Sequence, residues 1–353
     1  MLTFQILREK KLNKKKILIT GGAGYVGSRL IKYCLNAGYE VHCYDIMLYG
    51  DSSIKRYLKN KNFQLIKKNL TDYRSLEKAI TNIDFIIHLA AIVGDQPCLV
   101  APESAFKINY LATKKLIEIA SNKRVKKLIF SSTCSNYGIA DDNNFADEDS
   151  KLNPVSLYAE TKIDCEKFIS HVNTKELDCI TLRFATAYGV SERTRFDLTI
   201  NSFAYEAIKK KNLFVFAANT WRPYIHVNDM CNFILKFLKS EELTNIPNKK
   251  KIFNVGFNSQ NYTKKNILDL IVNHIPNTEI KYVDDIIDQR NYKVSFNKLN
   301  QVFNCSPIIG IHDGILELIN FIKNNNKIDD IFNNSNLEAL KIFFKKNEAR
   351  LLI

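Results

Sequence analysis

Glycine and proline are scarce in this chain, with 12 and 7 among 353 residues. That excludes collagen-like and low-complexity architectures. No apolar run reaches the ~18 residues of a membrane span, so no membrane partner is expected. The eight cysteines (Cys34, Cys43, Cys98, Cys134, Cys165, Cys179, Cys231 and Cys305) form no C-x-x-C pair, and the six histidines show no ligand spacing. Neither a zinc site nor a disulfide framework is expected, and no metal. Several cysteines lie inside apolar runs, as reduced thiols of a cytoplasmic protein would. Residues 1–16 lack the basic, apolar and small-residue order of a signal peptide. No internal repeat is found.

What is present is enough for a core. Hydrophobic residues make up 46% and charged residues 25%. The length fits two domains or one large one. Lys and Arg number 51 against 37 Asp and Glu, a net charge of +14. The excess is dispersed, and no basic motif is interleaved with aromatics. It is read as a bias toward Lys and Asn and toward phosphorylated ligands, not as a nucleic-acid footprint.

The first half alternates short apolar strands with helical patterns. Strands are predicted at 15–20, 40–45, 63–66, 85–89 and 127–131, with helices from the glycines to about 37 and over 102–121. A helix over 154–171 and a strand at 179–184 follow. This order gives right-handed βαβ units and an α/β fold, a doubly wound parallel sheet covered on both faces. Beyond 189 the pattern loosens. Helices are expected near 197–211, 227–239 and 263–274, and short strands near 213–216, 252–255 and 279–283. Four regions result: a basic extension at 1–14, a nucleotide-binding domain at 15–189, a mainly substrate-binding α/β region at 190–323, and an Asn/Lys-rich tail at 324–353 with a helix over 337–344. Later segments can return to the first domain.

The strand at 15–20 runs directly into Gly21-Gly22-Ala23-Gly24-Tyr25-Val26-Gly27, followed by a helix. Glycine permits the tight turn and lets backbone N–H groups approach a pyrophosphate, and the helix N-terminus adds its dipole. Gly27 leaves room for helix and strand to pack closely. Asp45 ends the second strand, where a carboxylate bonds both ribose hydroxyls and repels a 2′-phosphate. The expected cofactor is therefore NAD and not NADP.

Tyr158 and Lys162 stand at i and i+4, on one helix face. A nearby ammonium favours phenolate and makes the tyrosine a usable base. The fifth strand ends in Ser131-Ser132-Thr133-Cys134-Ser135-Asn136-Tyr137-Gly138, and hydroxyls at a strand's carboxyl end face the ligand crevice. With TGGAGYVG (20–27), HLAA (88–91), SSTCSNYG (131–138), YAETK (158–162), LRFATAYG (182–189) and WRPYIHVND (221–229), the chain resembles the extended short-chain dehydrogenases/reductases. Within them it is similar to the NAD-dependent sugar-nucleotide epimerase/dehydratase family, of the UDP-glucose 4-epimerase type. The resemblance covers about 15–323 and implies a Rossmann-type sheet with a smaller substrate-binding region.

The resemblance also implies roles. Thr133 polarises the reacting sugar oxygen, Tyr158 is the general acid/base, and Lys162 lowers its pKa and holds the nicotinamide ribose. Leu89, Ala90 and Ala91 line the cofactor behind the fourth strand, with Asn109 supporting that side. Asn69, where the family often has Asp at the adenine amine, and its neighbour Leu70 complete the cofactor contacts. Asn201, Arg222 and Arg290 take positions that hold the nucleotide and diphosphate, a task suited to the planar arginine fork. Thr186 replaces the family's substrate-side Asn, which leaves that contact open. Asp95 and Cys98 are candidates for the sugar pocket. His88 is read as a packing residue, and His226 as part of a turn like the family's, with no metal or proton-transfer role.

The expected reaction is epimerisation of a nucleotide-diphosphate sugar at C4 through a transient 4-keto sugar. A keto-sugar reductase using NAD(P)H is the alternative. A 4,6-dehydratase is disfavoured because Cys134-Ser135 stand where its Asp-Glu pair follows the threonine. A binding protein without catalysis is a further alternative, opposed by the presence of Thr133, Tyr158 and Lys162 together. The family also pairs two helices with their copies, so a homodimer is expected through 102–121 and 154–171, with Leu111, Leu116, Ile117, Ile163 and Phe168 as candidate contacts.

Overall fold

The computed structural model describes residues 14–140, 144–172, 177–243, 246–283, 290–333 and 335–351. Nearly all of the 1–14 extension therefore lies outside the described residues.

Seven strands form the main sheet: β1 (Lys16–Thr20), β2 (Glu40–Asp45), β3 (Phe63–Lys67), β4 (Phe85–His88), β5 (Lys127–Thr133), β6 (Asp178–Phe184) and β7 (Ile252–Val255). Their spatial order is β7-β6-β5-β4-β1-β2-β3, and every neighbour is parallel. A parallel sheet needs cover on both faces, and alternate side chains supply it. Ile17, Ile19, Ile87 and Ile129 join one core with Leu30, Ile31, Phe233 and Phe237 from the helices Tyr25–Asn36 and Val227–Lys239. Leu18, Ile86, Leu128 and Phe130 join the other with Leu76, Leu116, Ile117 and Cys165 from the helices Tyr73–Ile80, Ala112–Asn122 and Leu157–His171. The order reverses between β1 and β4, and that switch point opens a crevice at the strands' carboxyl ends.

A smaller region leans over that crevice. The strand Trp221–His226 pairs parallel with Thr186–Tyr188 and antiparallel with Asn261–Thr263, and Asn212–Phe216 pairs with Glu279–Val283. Helices Thr199–Lys209, Lys264–Val272 and Ile311–Lys323 enclose its core around Tyr188, Ile200, Tyr224 and Leu318.

The strand at 252–255 and the helix Val227–Lys239 form where expected, the first as an edge of the main sheet and the second on Tyr25–Asn36, so these are later segments that return to the first domain. Other predicted elements differ. The helix expected over 102–121 starts earlier and is segmented: Asp95–Val100, Pro102–Ala105, a π-helical stretch Phe106–Leu111, then Ala112–Asn122. Periodicity alone does not register the extra residue of a π turn. The helix expected from 154 begins at Leu157, because Pro154 holds the preceding chain extended and Ser156 accepts a 3.3 Å hydrogen bond from the Ala159 N–H. The tail helix is longer than expected, Asn336–Leu351.

The candidate dimer contacts are also revised. Leu116 and Ile117 are fully buried in the protomer's own core and Ile163 is nearly so, while Phe168 packs against the same core. Only Leu111 of the five is exposed; its exposed apolar neighbours are Leu99, Val100 and Phe106. Among the described residues no helix is long and apolar enough to cross a membrane, and no group of three or more His, Cys, Asp or Glu is arranged to hold a metal.

Candidate functional site

A cleft of about 1080 Å³ follows the switch point and is closed by the smaller region. At its floor β1 breaks at Gly21, whose φ of +72° is the left-handed region that glycine tolerates. A Cβ there would stand 2.7 Å from Ala90 N, and one at Gly27 would stand 2.3 Å from Gly21 O. The two glycines therefore bring loop, helix and the Leu89–Ala91 backbone into contact. The helix Tyr25–Asn36 has no side-chain cap and no acidic residue in its first turn. Its N-terminus is left to attract an anion.

Asp45 lines the same end of the cleft. Its carboxylate accepts from Ala23 N at 3.0 Å and Met47 N at 2.7 Å, which fixes its orientation and leaves lone pairs for ribose hydroxyls. Burial pushes its pKa up, with the two backbone N–H groups and the charge of Arg193 opposing that shift. Asn69 and Leu70 line the cleft beyond β3, and Asn69 Oδ1 accepts from Thr71 N at 3.1 Å. The cradle fits a dinucleotide.

At the other end β5 and the helix Leu157–His171 bring Thr133, Tyr158 and Lys162 to the cleft. Thr133 Oγ1 accepts from Ser135 N at 3.1 Å, so its hydroxyl proton is available to a ligand. Lys162 is buried and donates from Nζ to Ser131 O at 2.8 Å. Burial lowers its pKa to about 8. Its ammonium lies 5.8 Å from the centre of the Tyr158 ring. Burial raises the pKa of Tyr158, and the largest opposing influence is the charge of Arg195. The cation whose charge bears on the tyrosine is therefore Arg195.

The cleft is rich in arginine. Arg193, Arg195, Arg222 and Arg290 all line the cleft. Arg195 is fixed in a fork by Asp197 at 3.1 and 2.7 Å, and Arg193 lies over the Tyr49 ring at 3.4 Å. Arg222 donates to Trp221 O at 2.6 Å and lies 5.1 Å from the Tyr292 ring centre. Arg290 pairs with Asp95 at 3.2 Å. Thr186 and Ser135 line the same wall.

Two of the expected residues stand behind the wall. Asn109 is buried, accepting from Ile92 N at 2.8 Å and donating to Ile92 O at 3.0 Å. Asn201 accepts from Gly189 N at 3.0 Å and donates to Arg195 O at 2.8 Å. Each acts through a backbone segment that faces the cleft. Cys98 is also buried, donating to Ile92 O. His88 is buried between Thr20 Oγ1 (2.6 Å) and Thr113 Oγ1 (2.8 Å), and burial lowers its pKa to about 3, so it is neutral. His226 Nδ1 accepts from Asn228 N, which leaves the proton on Nε2 for Glu317 at 2.7 Å.

Sequence reasoning missed three contributors. Glu166 takes bonds from Arg183 (2.7 Å), Asn136 (2.9 Å) and Ser132, and so braces the end of β5 beneath Thr133. Its signal was available: Tyr158, Lys162 and Glu166 repeat every four residues. Arg193 and Arg195 stood as basic residues just past LRFATAYG. The helix Asn336–Leu351 lines the cleft with Leu337, Leu340, Phe343 and Phe344, and no motif announced it.

Comparison with known proteins gives the family and the fold. Residues 17–256 match the model of the NAD dependent epimerase/dehydratase family. A UDP-glucuronate 4-epimerase of Thermodesulfobacterium geofontis is 26% identical over 324 residues, covering 87% of this chain and 96% of the relative. The fold is shared with the UDP-glucuronic acid 4-epimerase of Bacillus cereus, solved with UDP-glucuronic acid and NAD (TM-score 0.78, 24% identity, 87% of this chain and 99% of that one). It is equally shared with the dTDP-glucose 4,6-dehydratase of Bacillus anthracis, solved with NAD (TM-score 0.77, 22% identity, 90% and 98%). With a matched segment that spans β1 through β7 and the whole glycine cradle, this chain belongs to the NAD-dependent epimerase/dehydratase family and takes NAD as its cofactor.

Proposed function

We propose that the chain epimerises a nucleotide-diphosphate sugar at C4 through a 4-keto intermediate. Bound NAD supplies the hydride acceptor, and then the donor, at the reacting carbon. Tyr158 Oη takes the proton of the sugar hydroxyl and later returns it. Thr133 donates a hydrogen bond to the reacting oxygen, and Lys162 and Arg195 favour the phenolate. Lys162 also holds the nicotinamide ribose, and Asp45 the adenosine ribose. Arg222 and Arg290 hold the diphosphate, a pivot about which the keto sugar turns to present its other face.

The observation that carries this reading is the state of the carboxylates in the cleft. Dehydration needs a further acid/base pair beside the sugar. Cys134 is buried and donates to Arg183 O, and Ser135 carries no carboxylate. Among the described residues the acids lining the cleft are Asp45, Asp95 and Asp197. The first is held by backbone N–H groups, the second pairs with Arg290, and the third with Arg195. Among the described residues the proton chemistry then falls to Tyr158.

The test is incubation of the purified protein with UDP-, GDP-, CDP- and dTDP-sugars and separation of the products. A mixture of C4 epimers without net change in NADH is expected. A dehydrated product, or stoichiometric use of NADH, would replace this reading by the dehydratase or the reductase. The exposure of Leu99, Val100, Phe106 and Leu111 supports a homodimer, and the seven buried free cysteines fit a reducing cytoplasm.

A further inference from the structure

The tail carries no motif, yet it reaches the chemistry. Its first helix, Ile328–Asn333, is fixed to the smaller region: Phe332 stacks on Tyr205 with ring centres 3.9 Å apart, and the Tyr205 hydroxyl donates to Asp329 at 2.8 Å. Its second helix, Asn336–Leu351, crosses to the other side of the cleft. Ser335 caps it, its hydroxyl accepting from Glu338 N at 3.3 Å. Asn336 donates to Val93 O at 3.3 Å, in the loop that leads to Asp95, and the helix packs on Asp95–Val100.

This helix is amphipathic. Asn336, Ala339 and Leu340 are buried and Leu337, Phe343 and Phe344 half-buried, whereas Glu338, Lys341, Ile342 and Lys345 are exposed. The inward residues recur at i, i+3, i+4, i+7 and i+8, which makes one stripe. Leu340 is only 4% exposed, in an apolar cluster with Ile92, Cys98, Ala101 and Ala105. Leu48, Tyr158 and Phe344 pack against that cluster. Leu48 follows the strand that ends in Asp45, and Tyr158 is the reacting group. The stripe therefore spans the cleft from its adenosine side to its nicotinamide side.

We propose that the helix Asn336–Leu351 is a strap across the mouth of the active cleft, whose Leu340 and Phe344 wall Tyr158 from water and retain NAD between turnovers. The assignment rests on the cofactor cradle and on Tyr158 as the reacting group. A strap anchored on both sides must lift for the dinucleotide to leave, so it acts on the dissociation rate. Retention suits a reaction that regenerates NAD in place and opposes one that exchanges a nicotinamide at every turnover. Apolar walls also strengthen the electrostatic pull of Lys162 and Arg195 on the phenol by excluding solvent.

The experiment needs no sugar, so it is independent of the identity of the substrate. The full chain, a chain shortened after residue 333 and the variant Phe344→Ala are loaded with NADH and chased with excess NAD. NADH fluorescence follows release, and circular dichroism checks the fold. Release about tenfold faster from the shortened chain, and severalfold faster from Phe344→Ala, is expected. Release from both at the rate of the full chain overturns the proposal. If the shortened chain does not fold, Phe344→Ala decides alone, because its ring is only half-buried and packs on the outside of the cluster around Leu340. Accelerated release with no epimerisation of any sugar would keep the strap and remove the proposed reaction; unchanged release with epimerisation would do the reverse.

Discussion

Tyr158 combines two opposed demands. Burial raises its pKa, which keeps the phenol protonated and, in the proposed reaction, suits it to return a proton, while the charge of Arg195 opposes that shift. Removing the oxygen should abolish this function and leave the ring's packing intact. Tyr158→Phe is expected to lower turnover by about 10²–10⁴-fold with bound NAD unchanged, and kinetics together with cofactor content check it. Lys162→Ala should differ by losing cofactor as well, about 10–100-fold in affinity, the worth of a charge-assisted hydrogen bond. His88 makes a different prediction. It is neutral in the fold with a pKa near 3, against 6.5 in the unfolded chain. Between those values the unfolded state binds more protons, so stability falls as pH drops from 6.5 toward 3. The loss reaches at most a few kcal/mol. Denaturation midpoints measured from pH 7 to 4.5 should fall more steeply for the natural chain than for His88→Asn.

At the scale of elements, the glycine loop is the part whose form follows most directly from composition. Gly27 sits inside a helix at the cost of helix propensity because any side chain would meet Gly21 O. Gly27→Ala should push helix and loop apart. An expected loss of about 1–3 kcal/mol of stability, with NAD binding weakened, is measurable by denaturant unfolding and cofactor titration. The same periodicity that revealed the strands misjudged the helices between β4 and β5. Apolar residues over 102–121 satisfy a helical repeat, but the π-helical stretch Phe106–Leu111 shifts the facing of everything before it. Leu111 and Phe106 turn outward while Leu116 and Ile117 turn into the core.

For the molecule as a whole, that outward facing is the basis of a further test. Leu99 is 63% exposed and Phe106 43%, and Val100 and Leu111 are exposed too. A second copy would cover them, since exposed apolar patches on soluble proteins mark interaction sites. Light scattering is expected to show a dimer at micromolar concentration, and Leu99→Asp with Phe106→Asp a monomer with an unchanged circular dichroism spectrum. A monomeric natural chain would reject the association.

The parallel sheet, the dinucleotide cradle and the approach of Thr133, Tyr158 and Lys162 to one cleft were legible in the order of residues. Each rests on a local rule: apolar alternation, glycine where a Cβ cannot fit, and side chains four residues apart on one helix. The tertiary structure alone decided what depends on long-range contact. It returned Ile252–Val255 to the main sheet, placed Asn201 behind the wall it had been expected to line, and brought the charge of Arg195 to bear on Tyr158. It also laid the helix Asn336–Leu351 over the cleft, some 180 residues along the chain from Tyr158. A short apolar stripe with no signature reads the same whether it faces a core or an active site, because periodicity fixes which side of a helix is apolar and not what that side will meet.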